Sequence, residues 1–449
     1  MKTNPELKKL EARLTSGRRR NSLVWCRKTV FLVLRAGGLI LTAALEWLAA
    51  LGLFLTITLP VLILLTGRRI VTGQKIFRRR TIYGRDGEPR ELAYFNLNYY
   101  LWQNADLFFY VLIGRLKLIG LSIKPYDPAG RTVGDSCLHD EKPGIFNLWF
   151  LRSSARIAHG GRLEVEKEYK YRHSLRADLL LVLKSIPALF FHVESRHYEP
   201  EIELMDIKFR NLTMTAAIDM IRELIAAGRR QRIFFVNADC FNQATVNSSY
   251  REVLQQEACI FPDGIGVNLA CKIMHNPLRE NINGTDMLPF LCRMAQQQGY
   301  SLYLLGGKPG IAERMRQVLA ATYPGLRIAG CRHGYFDPDR ESDAVVTAIN
   351  AVAPTLLLVA FGVPRQELWI TEHFNRLTCP IIIGVGGLFD FYSGNIRRAP
   401  QWMREVGLEW FFRLMMEPGR MFYRYVIGNP LFLWRFIRWK RQHFVSREL

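Results

Sequence analysis

From Glu201 onward, short apolar runs alternate with helical patterns, and this alternation constrains the fold of the 449-residue chain more than any other feature. The runs are Ile233-Phe234-Phe235-Val236, Ala258-Cys259-Ile260-Phe261, Leu302-Tyr303-Leu304-Leu305, Thr355 to Phe361 and Pro380 to Val385. They lack a polar alternation, as parallel strands covered on both faces require. Helical spacing fills the intervals, for example Thr215 to Ala227 and Ile311 to Ala321. The expected class is α/β with a mostly parallel sheet. In that architecture ligands gather beyond the carboxyl ends of the strands.

Polar and glycine-rich sequence follows each run. The first strand leads into Asn237-Ala238-Asp239, the second into Pro262-Asp263-Gly264-Ile265-Gly266, and the third into Gly306-Gly307-Lys308-Pro309-Gly310. Further along stand Gly334-Tyr335-Phe336, Gly362-Val363-Pro364-Arg365-Gln366-Glu367 and Gly384-Val385-Gly386-Gly387-Leu388-Phe389-Asp390. Glycine lets backbone approach a ligand, and a following helix offers its first amides to phosphate. A single turn of this kind is weak, because most are only turns. The series carries the information.

Those motifs continue through Asn283-Gly284-Thr285-Asp286, Arg398-Ala399-Pro400, Glu409-Trp410-Phe411-Phe412-Arg413 and Glu417-Pro418-x-Arg420. In this order they closely resemble the WecG/TagA/CpsF family of glycosyltransferases (glycosyltransferase family 26), over roughly residues 205 to 440. The resemblance implies an inverting enzyme that uses no metal and no cofactor, with a UDP-sugar donor and a sugar on polyprenyl diphosphate as acceptor. Asp263 stands at the family's proposed general-base position, where a carboxylate would deprotonate the acceptor hydroxyl. Without a metal, the leaving diphosphate must be met by Arg or by helix amides. Arg413, Arg420 and Arg424 are the candidates, the alternative for each being lipid head groups or solvent. The family often has its third arginine one residue earlier, where this chain has Tyr423.

Gln366 is expected at the nucleotide sugar, although Gln366-Glu367 opening a helix can also be a simple cap. Asn237, Gly264, Asn281, Asp286, Gly306, Gly307 and Glu367 complete the expected substrate-binding set. Asp390 is read as a strand-end structural hydrogen-bonder in preference to a catalytic group. Two departures bear on specificity: Phe235 stands where the family often has Thr, and Asn281 where Arg is common, with Arg279 nearby.

Ahead of this region, Gly37 to Thr66 is apolar except for Glu46, long enough for one membrane span. Basic residues flank it on both sides, Arg18, Arg19, Arg20, Arg27, Lys28 and Arg35 before, Arg68, Arg69, Lys75, Arg78, Arg79 and Arg80 after. A simple span prefers its basic excess on one side, so a re-entrant helix broken at Pro60 is favoured over a single span. The chain carries a formal net charge of +21, which points to polyanionic partners. Aromatic residues mixed with Arg near the C-terminus favour membrane lipid over nucleic acid, for which no motif is present. Eight widely spaced cysteines without a CxxC pair read as reduced core thiols, which suits a cytoplasmic setting.

Residues 38 to 195 resemble a second family, the bacterial sugar transferases that move a phospho-sugar onto polyprenyl phosphate. The matching pieces include Gly84-Arg85-Asp86-Gly87, Leu118-Ile119-Gly120, Lys142-Pro143-Gly144-Ile145 and Tyr171-Arg172-His173-Ser174-Leu175-Arg176. That family's Asp-Glu pair is replaced here by Gln103-Asn104, and an amide cannot serve as carboxylate nucleophile or hard metal ligand. A one-residue slip would recruit Asp106, with no acidic neighbour to complete a pair. An inactive domain that keeps the membrane fold is therefore expected.

The divisions expected are a basic segment (1–36), a membrane helix (37–67), a small, mostly helical phosphoglycosyltransferase-like domain (68–200), the glycosyltransferase domain (201–400), and a membrane-interfacial appendage (401–449). The expected role is exopolysaccharide or cell-surface glycan synthesis at the cytoplasmic face of a bacterial inner membrane. Two alternatives stand beside it: a bifunctional enzyme that also makes the first transfer, and a non-catalytic scaffold. The resemblance leaves an oligomer among the expected states, and the sequence does not fix which.

Overall fold

The computed structural model describes residues 43–73, 75–83, 89–95, 105–124, 142–155, 161–191, 198–256 and 258–445. The basic segment 1–36, Gly84-Arg85-Asp86-Gly87, Gln103-Asn104, Cys26 and Cys137 lie outside the described residues. The chain divides into two compact units, Met1–Asn147 and Leu148–Leu449, a division that falls ahead of the 200/201 boundary drawn from sequence rhythm.

In the first unit the apolar segment is one helix, Ala43–Thr72, long and apolar enough to cross a membrane by length and composition. Pro60 does not end it. A π-helical turn, Phe54–Thr58, comes just before, and the α-helix resumes at Leu59 and runs to Thr72. Proline lacks an amide hydrogen and crowds the carbonyl four residues back, and the wider turn accommodates both defects. Glu46, the one charged residue in the apolar run, accepts the backbone amides of Leu118 and of Ile119, the latter at 3.3 Å. Trp47 donates to the Leu112 carbonyl at 3.2 Å, and Thr58 to that of Ala105.

An antiparallel hairpin, β1 (Phe77–Tyr83) and β2 (Pro89–Phe95), follows. Then come a short helix, Leu107–Leu112, and a parallel pair, β3 (Lys117–Ile119) and β4 (Gly144–Phe146). The glycines of two sequence motifs meet here: a Cβ on Gly144 would lie 2.1 Å from the Gly120 nitrogen, so no other residue fits.

The second unit begins with three helices, Leu148–Ala155, Arg162–Arg172 and Leu175–Phe191. The helical content expected for 68–200 thus gathers in its last part. A hairpin, β5 (Glu201–Leu204) and β6 (Ile207–Arg210), turns through Met205 and Asp206, both at positive φ. Such a turn usually carries Gly or Asn, which is why no turn signal was readable there.

The sheet consists of β7 (Gln231–Val236), β8 (Cys259–Pro262), β9 (Ser301–Gly306), β10 (Arg327–Arg332), β11 (Leu356–Ala360) and β12 (Ile381–Gly384). Its order is β10-β9-β11-β12-β7-β8 with every pairing parallel. Alternate side chains enter opposite core layers, as the two-residue period of a strand dictates. Phe234, Val236, Leu357 and Val359 face one layer, and Ile233, Phe235, Leu358 and Ile383 the other. β10 is an edge strand with a register irregularity between Ile328 and Gly330. Half-exposed and flanked by arginines, it gave no apolar run to read.

The C-terminal helix Gly428–Val445 is part of this core on its inner face. Phe432 and Phe436 are fully buried, Arg435 donates to the Asn242 carbonyl at 3.1 Å, and Trp439 donates to Asp206 at 2.9 Å. Trp434 and Ile437 remain on the outer face. The aromatic crowding expected to be mainly interfacial is therefore divided between core and surface.

Candidate active site

The carboxyl ends of the strands surround a cavity of about 1230 Å³. Its other wall comes from the helices Gln401–Glu405, Glu409–Met416 and Pro418–Phe422 and the π-helical turn Tyr423–Ile427. Asp263, Asn237, Gly264, Asn281, Asp286, Gly307, Gln366, Arg413, Arg420 and Arg424 all reach the cavity wall. Gly306 and Glu367 do not line it. Gly306 lies against the Ala360 carbonyl within the sheet, and Glu367 is fully buried beneath the wall.

Asp263 follows the last residue of β8, where its amide still bonds to the Val236 carbonyl at 2.8 Å. Gly264 turns the chain at φ +89, a conformation L residues rarely adopt, and starts the helix Ile265–Ile273. Asn281 holds that turn by accepting the Gly264 amide at 2.6 Å. Loss of hydration raises the Asp263 carboxyl to about 6, against the pull of Arg413 and Arg424 and with the push of Glu409 and Asp286. A carboxylate so tuned is ionised at neutral pH and still basic enough to accept a proton.

Arg413 projects from the helix Glu409–Met416 and stacks over the Phe391 ring at 4.5 Å. Among the described residues its Nε is buried without a hydrogen-bond partner. Arg424 lies 3.6 Å from Asp239. Burial works to lower its pKa, but Tyr425, Asp239, Cys240 and Asp263 together hold it above the ordinary value. Arg420 is exposed and paired with Glu417 at 2.9 Å on its own helical turn. Two cations thus face Asp263 electrostatically, and a third stands at the rim.

Several expected ligand contacts are already occupied by the chain. Asn237 caps the helix Ala238–Val246, accepting the amides of Asp239 and Cys240 at 3.0 and 3.3 Å. Asp286 pairs with Arg398, accepts from the Asn283 amide group at 2.8 Å, and lies 3.9 Å from Arg404. The Gln366 side chain accepts the Gly386 amide at 2.9 Å and donates to Glu367 at 2.7 Å. Burial raises the Glu367 carboxyl to about 7, with the Gln366 bond pulling the other way. The pair fixes the glycine turn after β12 and is not a helix cap, since the helix Arg365–His373 has no side-chain cap bond. Asp390 accepts from Asn395 at 2.9 Å at the cavity edge.

Sequence reasoning missed Glu409, which raises the Asp263 carboxyl, and Asp239, which pairs with Arg424. Both stand inside recognised motifs, so their presence was legible and their partners were not. Among the described residues no group of three or more His, Cys, Asp and Glu side chains gathers where a metal ion could be held.

The model of the "Glycosyl transferase WecG/TagA/CpsF family" matches residues 202–445. An N-acetylglucosaminyldiphosphoundecaprenol N-acetyl-beta-D-mannosaminyltransferase of Staphylococcus aureus (strain MW2) is 29% identical over 256 residues, covering 56% of this chain and 97% of the relative. The protein of that name from S. aureus strain NCTC 8325 / PS 47 matches with the same identity and coverage. From β5 to the C-terminal helix, the chain belongs to the WecG/TagA/CpsF family of glycosyltransferases.

Proposed function

We propose that the chain transfers N-acetylmannosamine from its UDP derivative to N-acetylglucosamine carried on polyprenyl diphosphate, with inversion and without a metal. The S. aureus relatives are named for that acceptor and that sugar, and they align over nearly their full length. The carrying observation is Asp263 on the cavity wall, raised to about 6 beside Arg413 and Arg424. Asp263 takes the proton of the acceptor hydroxyl as its oxygen attacks the anomeric carbon from the face opposite the UDP. The anomeric C–O bond breaks, and the diphosphate leaves with its electron pair toward Arg413, Arg424 and Arg420.

The proton balance sets the pH dependence. Asp263 is active when ionised, so kcat/KM is expected to fall below about pH 6 and to level off above it. A steady-state profile from pH 5 to 8 checks this, and a flat acid limb would remove Asp263 as base.

The region of residues 38 to 195 is read as a relative of the phospho-sugar transferases that has lost its chemistry. Asp106, the one carboxylate near the replaced pair in sequence, has both oxygens buried, and loss of hydration raises it to about 7. It is therefore a poor nucleophile toward a phosphate at the surface. The apolar helix is read as lying in one leaflet. Its contacts from Glu46 through Thr58 to Leu65 stay on one compact unit, over a length of roughly 28 Å at the helical rise. A helix crossing the bilayer would carry that unit's backbone into hydrocarbon. Exposed Ile63, Leu64, Ile70 and Val71 face outward for lipid. Exposed Phe411, Met415, Phe422 and Tyr423 would add a second contact, at the cytoplasmic face of the inner membrane.

The test uses full-length protein in detergent, a panel of UDP-sugars, and two acceptors. One is undecaprenyl phosphate and the other is N-acetylglucosaminyl-diphosphoundecaprenol. UDP release with the second alone supports the proposal. UMP release with the first would make the chain bifunctional, and silence with both across the panel would favour a scaffold.

A further inference from the structure

The helices of residues 148–191 precede the residues that the family model matches, yet they contact the site's outer wall within the second unit. Glu405, at the end of the helix Gln401–Glu405, has a side chain only 4% exposed. Its Oε2 accepts from Lys184 at 2.8 Å, and its Oε1 lies 3.5 Å from Arg152 Nε and 3.3 Å from the Gln401 amide. Arg152, itself nearly buried, also donates to Glu168 at 2.7 Å, and Glu168 accepts from Arg172 at 3.0 Å. All three upstream helices therefore join one ion network, whose centre is a carboxylate belonging to the site wall.

The other side of the same short helix leads to the chemistry. Arg404 lies 3.9 Å from Asp286, and Arg398 bridges Asp286 to Glu409 at 3.8 Å. Glu409 opens the helix that carries Arg413. Ser154, from the first upstream helix, lies on the cavity wall itself.

We propose that residues 148–191 form a brace for the glycosyltransferase site, holding the arginine-bearing segment 409–424 over the cavity, with Glu405 as the pin. A carboxylate this deep is tolerable only while both cations reach it, and leaving one buried charge unpaired is costly. Lys184 and Arg152 stand on different helices, so only one placement of the 401–405 helix satisfies both. Glu405 touches no reacting atom in this account. It is a positioning residue, and its effect on catalysis rests on the diphosphate role proposed above for Arg413, Arg420 and Arg424.

The test measures amide hydrogen exchange and transfer kinetics on full-length protein in detergent. The variants are Glu405→Gln, which keeps the shape, Lys184→Met, which removes one of its two cations, and Lys184→Arg, which keeps that cation. Glu405→Gln is expected to speed exchange across 409–427 about tenfold or more and to lower kcat about tenfold, with donor KM little changed. Exchange in β7 and β11 should stay as in the parent. Lys184→Met should do the same, and Lys184→Arg, which keeps the cation, should retain most of both. Unchanged exchange over 409–427 in Glu405→Gln, or equal effects of Lys184→Met and Lys184→Arg, would overturn the brace. Failure of the parent chain to transfer any sugar would sink the proposed function alone, because the exchange result still judges the brace.

Discussion

Asp263→Asn is expected to lower kcat by about 10²–10⁴-fold, the range in which a positioned general base contributes. The fold should survive. Asn keeps the size of the side chain, and the Asp263 amide bond to Val236 is a backbone contact. The carboxyl is raised in the folded chain, so its ionised form is disfavoured there. As pH rises from about 4 through about 6, the native state therefore loses stability relative to an unfolded chain that ionises freely. Removing that charge should leave the variant equal or more stable at pH 7.5, by about 1–3 kcal/mol for a two-unit shift. Thermal unfolding beside the transfer rate checks both parts. Lost activity with lost stability would point to a structural role instead.

The second large effect is expected at Arg413. Its guanidinium is stacked on Phe391 with a buried, unbonded Nε, a donor available for an anion. Arg413→Ala should cost about 10²–10³-fold in kcat, as loss of one donor to developing negative charge does elsewhere. Arg413→Lys should recover little, because an ammonium supplies neither the planar fork nor the stacking surface. Arg420→Ala should be milder, since Arg420 is exposed and already paired with Glu417. Equal losses at both positions would contradict the division of roles drawn here. Single-turnover transfer with saturating acceptor separates kcat from binding.

The parallel sheet was legible because its strands carry both faces in apolar runs, and five of the six were read close to their final bounds. The sixth, β10, lies at the edge with arginines at both ends, where burial no longer dictates composition. The site's membership was legible through motif order, since strand-end loops and the arginine-bearing segment converge on one cavity. What individual residues do was less so. Asn237 and Gln366 were expected at the substrate and both line the cavity, but the bonds of Asn237 Oδ1 to its helix and of Gln366 to Gly386 and Glu367 were not readable, because periodicity says nothing of side-chain partners. Glu405 was invisible for the same reason: its cations stand 253 and 221 residues away in sequence. Pro60 gave a correct signal of irregular backbone and no indication that a π-helical turn would absorb it.

Sugar transfer by the purified full-length chain is the decisive property. The measurement is UDP release and lipid-linked product from UDP-N-acetylmannosamine and N-acetylglucosaminyl-diphosphoundecaprenol, in chelator, with parent protein and Asp263→Asn side by side. The predicted result is UDP and a β-linked disaccharide lipid in equal amounts from the parent and almost none from the variant. Undiminished transfer by the variant, or no disaccharide from any UDP-sugar with folded parent protein, would contradict it.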